Sequence, residues 1–290
     1  MRYKKTMLLF CLFCVCAFLV YLLMQIEEAE RKKRALNTPV ELPYTWEGDI
    51  SKAQIAEPSG ITYHPKRKTL FVVDDGGFIH EIRPDGTDIQ SKNLQERDLE
   101  GVTTNPATGL VYAVVEDNES ILEINPETLT IDREFIINRT FEDKILLKEG
   151  GMGVEGIVFV PDSSHKEGGS FWIGNQSDSL KPDAEPSIVC EVVVPLNSSK
   201  TKVSEGNIVR YLQMDFVDIS GLSYDTQSDY LMIISDTTNL LVEMKRDGNQ
   251  LHHYLLPGND QEGVTLDGLG YMYIAQESGQ IIKFADKRLR

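Results

Sequence analysis

A five-residue motif occurs five times in the chain and constrains its fold more than any other feature. Its fullest copy is Asp98-Leu99-Glu100-Gly101-Val102. Each copy contains Glu or Ser, then Gly, then a branched aliphatic residue that opens a short apolar run. Internal repetition of this kind indicates a repeat protein. The Glu or Ser residues of the five copies are Ser59, Glu100, Glu155, Ser220 and Glu262.

Each motif is followed by further runs in an order that does not change. A second apolar run ends in an acidic or amide residue. The third run reads Ile-x-Glu-Ile in the first two units and keeps its apolar ends in the other three, with Glu at its third position in all but the fifth, which has Lys283. A polar fourth run follows in four of the units. Short runs of Val, Ile, Leu, Tyr and Phe between turn sequences such as Asp75-Gly76-Gly77 predict β-strands. Four short strands per motif predict an all-β propeller. The residues that end the second runs are Asp74, Glu116, Asn175, Asp236 and Glu277.

The spacing of the units predicts five blades. The fifth unit has only three runs, and residues 41–49, in which Leu42, Tyr44 and Trp46 alternate with polar residues, are expected to supply its fourth strand. Six blades are the alternative, if the long third unit contains another one, but its segments 161–169 and 177–186 have the composition of loop insertions. The predicted blades are 57–97, 98–152, 153–217, 218–259, and 260–290 completed by 41–49.

The N-terminal segment predicts a membrane anchor. Residues 7–26 carry no charge, and about 20 apolar residues in a helix span a hydrocarbon core. A cleaved signal peptide is the alternative, but the apolar run is longer than usual and no small-x-small site precedes Glu27. Basic residues flank both ends, and we expect a short cytoplasmic N-terminus with the large domain outside. The predicted organisation is an N-terminus over 1–6, a transmembrane signal-anchor over 7–26, a charged stalk over 27–39 and a propeller domain over 40–290.

The charge of the predicted domain argues against nucleic acid as a partner. The chain has 29 Lys and Arg and 45 Asp and Glu, of which seven and three lie in residues 1–36. The remainder has 22 against 42, a net charge of −20. Nucleic-acid-binding proteins need a basic surface, whereas an acidic surface suits cations.

The repeat geometry predicts a metal site. In an antiparallel blade, the start of the first strand and the end of the second lie at the same end, so the motif residues and the residues ending the second runs should ring one mouth of the central channel. Converging carboxylates raise one another's pKa unless a cation neutralises them. Calcium takes six to eight oxygen ligands from carboxylates, amides and carbonyls. The predicted Ca²⁺ ligands are Glu100, Glu155, Glu262, Glu116, Asp236, Glu277, Asn175, Asp74, Ser59 and Ser220.

A purely structural interpretation of the motif also stands. Blades crowd the axis of a propeller, and Gly leaves room there because it has no Cβ. The Glu or Ser could then satisfy neighbouring backbone groups. Asp74 and Glu277, which precede Asp75-Gly76 and Ser278-Gly279, could equally be turn residues.

The repeated parts carry a family resemblance. Glu/Ser-Gly-aliphatic, Leu-Tyr-x-Val-x-Glu and Ile-x-Glu-Ile, behind an N-terminal anchor, resemble the SdiA-regulated family of bacterial envelope proteins over roughly residues 45–287. The resemblance implies a five-bladed propeller, a calcium-binding site and distant kinship with NHL-type repeats. It also implies a single-pass protein of the bacterial inner membrane with a periplasmic propeller.

Two functions of different classes follow. The first is a membrane-anchored, calcium-binding module that holds a small-molecule or protein ligand. The alternative is a calcium-dependent hydrolase of lactonase or phosphodiesterase-like type. None of the five His residues occupies a predicted channel position, and no Gly-x-Ser-x-Gly, His-Glu-x-x-His or phosphate-loop motif is present. The binding module is therefore favoured, and the sequence identifies no catalytic residue.

Overall fold

The computed structural model describes Tyr21 and residues 38–287, apart from 96, 117, 149–151 and 182–183. This part of the chain is all-β, with 22 strands. The predicted anchor over 7–26 lies outside the described residues except for Tyr21, as do the predicted N-terminus and nearly all of the predicted stalk. Among the described residues, no helix has the length and apolar character of a membrane span.

The strands follow the motifs in groups. Strand β1 is Tyr44–Asp49, and the first group is β2 (Pro58–His64), β3 (Thr69–Asp74), β4 (Phe78–Ile82) and β5 (Asp88–Asn93). The second is β6 (Leu99–Thr104), β7 (Val111–Val115), β8 (Ser120–Asn125) and β9 (Thr130–Asn138), followed by a small hairpin of β10 (Thr140–Phe141) and β11 (Lys144–Ile145). The third is β12 (Val154–Pro161), β13 (Gly169–Asn175), β14 (Ile188–Val193) and β15 (Val203–Gln213). The last two are β16 (Ile219–Asp225), β17 (Tyr230–Ser235), β18 (Leu240–Lys245) and β19 (Gln250–Leu255), then β20 (Gln261–Leu266), β21 (Tyr271–Gln276) and β22 (Gln280–Asp286).

Each group forms an antiparallel sheet in which the motif strand lies at one edge. The first and fourth groups pair in the order β2-β3-β4-β5 and β16-β17-β18-β19. Strand β1 pairs with β22, so that the last sheet has the order β1-β22-β21-β20. Trp46 lies opposite Phe284, and their rings meet edge to face at 5.6 Å. The predicted role of the segment before the first motif, as a strand of the last unit, is confirmed.

The second and third sheets are joined along their outer edges. Strands β9 and β15 pair in parallel, from Glu134 opposite Val203 to Asn138 opposite Asn207, and make one eight-stranded sheet. Beside this seam the buried Arg133 forms an ion pair with Glu123 and donates to the carbonyls of neighbouring residues in the third unit. The pairing removes two free strand edges, which otherwise favour association with other chains.

The motif strands β2, β6, β12, β16 and β20 contact one another in a closed series. A Cβ on Gly60 would lie 2.5 Å from the carbonyl oxygen of Glu100, and one on Gly263 would lie 2.6 Å from the backbone nitrogen of Ile61. The motif glycines of the other three strands approach the next strand in the same way. The close approach confirms the interpretation that Gly leaves room for neighbouring backbones at the axis.

The core lies between neighbouring sheets rather than in one centre. Adjacent residues of β3 illustrate this, because Phe71 packs against the second unit and Leu70 packs against the fifth. Five such clusters occupy the successive interfaces between units. Full burial of one such side chain contributes about 1.5–3 kcal/mol. Both faces of the inner strands are covered, which explains why their sequences are almost continuously apolar.

Candidate metal centre

The Glu or Ser of every motif lies at a β-bulge. In β2, Pro58 pairs with Asp74 and Gly60 pairs with Val73, so that Ser59 has no partner residue. Equivalent interruptions occur in the other four motif strands, where they fall at Glu100 with Gly101, and at Glu155, Ser220 and Glu262. A bulge bends its strand and redirects the side chain of the extra residue. We call the end of the channel where these bulges lie the carboxylate mouth, after Glu100, Glu155 and Glu262.

A repeated backbone hydrogen bond brings a second residue of each unit to this mouth. The N–H of the residue just after the second strand donates to the carbonyl of the first motif residue, as from Glu277 to Asp260 at 2.9 Å. The backbone at Glu57, Gly153, Asp218 and Asp260 is left-handed, with φ between 45° and 77°. The same hydrogen bond joins Asp75 to Glu57, Glu116 to Asp98, Gln176 to Gly153 and Asp236 to Asp218.

Burial dominates the electrostatics of the three glutamates. Glu100 and Glu155 expose only 9% and 7% of their surface. Burial is the largest cause that raises the pKa of each, and for Glu155 the nearby charge of Glu100 is the next cause. Burial, followed by the charges of Asp236 and Glu100, raises the pKa of Glu262 to about 9. Among the described residues, no Lys, Arg or His forms an ion pair with any of the three.

A second group of carboxylates surrounds these glutamates. Burial, followed by the charges of Asp98 and Glu277, raises the pKa of Asp75 to about 6. One carboxylate oxygen from each of Asp75, Asp98 and Glu100 lies within 4.8 Å of the other two. Two ligands on opposite sides of a calcium ion are about this far apart, since each Ca–O distance is about 2.4 Å. Asp236 also has a raised pKa, with burial as the first cause.

The two serines of the predicted ligand set have structural partners. The Ser59 hydroxyl donates to the carbonyl of Leu99, and the Ser220 hydroxyl donates to the carbonyl of Gln261 at 2.7 Å. Each hydroxyl therefore joins its motif strand to the next one in the ring. The purely structural interpretation of the motif therefore fits Ser59 and Ser220. The side chains of the three glutamates have no such backbone partner among the described residues.

Asp74 and Asn175 are engaged within their own units. Asp74 accepts from the N–H of Phe78 at 2.9 Å and contacts His80 Nε2 at 3.0 Å. The Asn175 side chain accepts from the N–H of Ile188 at 2.9 Å. Each is the last residue of its strand, whereas Glu116, Asp236 and Glu277 follow the strand end by one residue. Strand side chains alternate in direction, so a step of one residue changes the face on which a side chain lies.

The structure adds acidic residues that the predicted ligand set lacks. Asp75 is the equivalent of Glu116, Asp236 and Glu277, and its carboxylate lies near those of Asp98 and Glu100, whereas the carboxylate of Asp74 contacts Phe78 and His80. Glu57, Asp98, Asp218 and Asp260 also act on the pKa values of this cluster. Their signal in the sequence is the first position of the motif, where four of five copies have an acid. In the remaining copy Gly153 leaves the space that the Glu116 side chain fills.

The donor set fits a hard divalent cation. Every described side chain that defines the mouth carries oxygen ligands, and the described cysteine, Cys190, is buried in strand β14. Oxygen-only sites suit calcium, magnesium or manganese, and an irregular ring of many carboxylates suits calcium best. Metal binding by any of the ten predicted residues stays a prediction.

Comparison with known proteins assigns the chain to a family. The profile of the SdiA-regulated family matches residues 44–285, which cover most of the chain. The chain belongs to the SdiA-regulated family. The resemblance carried by the repeated motif is thereby confirmed. No curated protein is similar enough to the chain to match it.

Solved structures show the fold of this SdiA-regulated protein at low sequence identity. Myxococcus xanthus glutaminyl cyclase is 9% identical, with a TM-score of 0.59 over 85% of this chain and 97% of that one. The β-propeller domain of Cps50 (Swd1) from Myceliophthora thermophila is 8% identical, with a TM-score of 0.49 over 84% and 99%. A chain of a nidogen/laminin complex is 13% identical, with a TM-score of 0.48 over 80% and 77%. The closed series of motif strands with antiparallel sheets around it makes the fold propeller-like, and the likenesses to solved structures carry no further information about activity.

Proposed function

We propose that this protein is a membrane-anchored, calcium-binding propeller that acts as a ligand- or protein-binding module of the cell envelope. The observation that carries the proposal is the set of glutamates at the bulges of the carboxylate mouth, of which Glu100 and Glu155 are buried and Glu262 is half-buried, and none of which has a cationic partner among the described residues. Glu100, Glu155 and Glu262 would hold the cation, with Asp75 and Asp98 beside Glu100. A divalent cation bound there would neutralise these carboxylates and join motif strands of different units.

The unfavourable burial of these acids supports a metal-binding role more than a purely structural one. A buried carboxylate without a cationic partner costs several kcal/mol unless it takes up a proton. Two buried glutamates and a half-buried one at equivalent positions, with further acids around them, are difficult to explain by hydrogen bonding to the backbone. The serines at the other two positions make the interstrand hydrogen bonds that a structural role requires, and they do so without charge.

Five blades are the architecture that we propose for the propeller. The five motif glycines, the five interfacial clusters and the pairing of β1 with the last sheet all support this number. The long third unit adds loops: β12 ends at Pro161 and β13 begins at Gly169, and β14 begins at Ile188, after β13 has ended at Asn175. The membrane anchor over 7–26 and the periplasmic position of the domain are proposed from the sequence.

A second candidate function is supported by one observation. The raised pKa of Glu262 would keep a proton available near neutral pH, as a general acid requires. A calcium-dependent hydrolase of the lactonase or phosphodiesterase-like type would use the cation to polarise an ester or phosphoryl oxygen. We place this candidate second because no histidine lies among the described residues of the mouth, and the hydroxyls of Ser59 and Ser220 already donate to backbone carbonyls.

Titration calorimetry with calcium on the purified full-length chain tests the proposal. We expect saturable binding to the parent and binding weakened at least about tenfold in Glu155→Gln. Glu205→Gln, an exposed glutamate on the outer strand β15, is the matched control and should bind as the parent does. No binding in the parent, or equal binding in Glu155→Gln, would refute the metal site. Calcium-dependent turnover of generic lactone, aryl ester or phosphodiester substrates, lost in Glu262→Gln, would favour the hydrolase.

A further inference from the structure

The opposite end of the channel is a second, chemically different mouth. The motif strands run from the carboxylate mouth to this end, and each contributes the residues that lie two and three positions after its motif glycine. A cavity of about 290 Å³ lies there, lined by all five motif strands. We call it the threonine mouth, because the residues two positions after the glycines are Thr62, Thr103, Val158, Ser223 and Thr265.

Hydrogen bonds between neighbouring motif strands hold part of this ring in place. The N–H of Phe159 donates to the Thr103 hydroxyl at 3.0 Å, and the N–H of Tyr63 donates to the Thr265 hydroxyl at 2.9 Å. The second of these bonds joins the fifth motif strand to the first. The positions of the cavity walls are therefore fixed by the same closure that forms the ring.

Two hydroxyls of the ring remain available to a ligand. Thr62 and Ser223 are 8% and 7% exposed, and within the described part of the chain their hydroxyls make no hydrogen bond. Each hydroxyl can both donate and accept. Because they belong to the first and fourth motif strands, they lie on different sides of the cavity.

The other lining groups select against charge and favour a ring-shaped polar molecule. Among the described residues, no Lys, Arg or His lines the cavity, and its lining therefore offers no cation of the kind that binds phosphate or carboxylate ligands. The acidic residue in this described lining, Asp267, accepts from the N–H groups of Leu269 and Tyr271 in its own turn. The half-buried Tyr63 and Tyr224 supply aromatic surface beside the hydroxyls. The volume lies at the lower end of the range for ligand sites, which fits a single ring.

We propose that the threonine mouth binds an uncharged, polyhydroxylated ring of monosaccharide size. Hydroxyls of the sugar would exchange hydrogen bonds with Thr62 and Ser223, and its apolar face would pack on the aromatic side chains. This site is separate from the carboxylate mouth and does not depend on calcium. It would give the binding module a ligand class of its own.

Saturation-transfer NMR on the full-length chain tests this inference with defined probes. Glucose, galactose, mannose and N-acetylglucosamine are the neutral probes, and glucose 6-phosphate and glucosamine are the charged counterparts. We expect at least one neutral sugar to bind and its phosphorylated counterpart to bind more weakly. Binding by the charged compounds alone, or by none of the six, would overturn the inference.

Variants locate the binding site. Thr62→Val and Ser223→Ala remove hydroxyls that carry no structural hydrogen bond, and each should weaken sugar binding about two- to tenfold with no loss of folding. Ser91→Ala, at an exposed position of β5, is the matched control and should bind as the parent does. Glu155→Gln should also retain sugar binding, even if its calcium binding is lost. Unchanged binding in both Thr62→Val and Ser223→Ala, or loss in Glu155→Gln, would place the sugar elsewhere and overturn the inference.

Discussion

Replacement of Glu262 by Gln should stabilise the calcium-free protein at neutral pH. The carboxyl group is half-buried among other acids, and its pKa is raised to about 9 in the folded state from an unfolded value of 4.5. Gln has nearly the same shape as Glu but cannot ionise. The variant therefore removes the cost of keeping this carboxyl group at a site that disfavours its charge.

The sign and size of the effect follow from proton linkage. Below pH 4.5 the group is protonated in both states and contributes no pH dependence. Between pH 4.5 and about 9 the unfolded chain is ionised while the folded chain keeps the proton, so the free energy of unfolding falls by about 1.4 kcal/mol per pH unit. At pH 7 the loss is about 3 kcal/mol, which Glu262→Gln should recover.

Thermal unfolding in a calcium chelator measures this difference. At pH 7, Glu262→Gln should unfold about 6–12 °C above the parent, because 1 kcal/mol corresponds to about 2–4 °C in a domain of this size. At pH 4.5 the parent and Glu262→Gln should unfold at the same temperature, and Glu205→Gln should unfold at the temperature of the parent at both pH values. In excess calcium at pH 7 the parent should unfold at a higher temperature than Glu262→Gln, since the variant has lost a calcium ligand. A variant that is less stable than the parent by the same amount at both pH values, without calcium, would refute the reasoning.

Two further predictions concern register and packing. Asp75→Asn should weaken calcium binding, measured by calorimetry, at least about tenfold. Asp74→Asn should leave calcium binding within about twofold of the parent, although it weakens the contact with His80. The reverse result would contradict the assignment of these two neighbouring side chains to opposite faces of the strand. Gly60→Ala should lower the free energy of unfolding in urea by about 3 kcal/mol, because its Cβ would meet the backbone of the next motif strand. Gly76→Ala, where only the side chains of Asp74 and Phe78 lie near, is the control, and equal losses of stability in both variants would argue against crowding at the axis.

The repeat made much of the fold predictable. The order of runs in each unit matches the order of strands in each sheet, because a strand buried on both faces needs a continuous apolar run and an outer strand does not. The alternation of Tyr44 and Trp46 with polar residues correctly indicated a strand without a unit of its own. The parallel pairing between β9 and β15 could not be predicted. It depends on the distance between the outer strands of two neighbouring sheets, and neither strand has a sequence pattern that identifies the other as its partner.

The site was predictable in place but not in every residue. The motif glutamates were identified from their recurrence, and they do lie together. The bulge at each of them is a property of the pairing between strands, which residue spacing within one strand does not show. For the same reason Asp74 could not be distinguished from Asp75, because the strand end differs by one residue and the two side chains then face opposite ways.

Calcium titration in two buffers of different ionisation enthalpy tests the central claim most directly. Burial and the neighbouring charges raise the pKa of these glutamates, which favours their protonated forms near neutral pH without metal, and a cation that takes the place of the protons must release them. The account predicts saturable calcium binding to the full-length chain at pH 7 with release of about one proton or more per ion. No binding, or binding without proton release, would contradict the assignment of the cation to Glu100, Glu155 and Glu262.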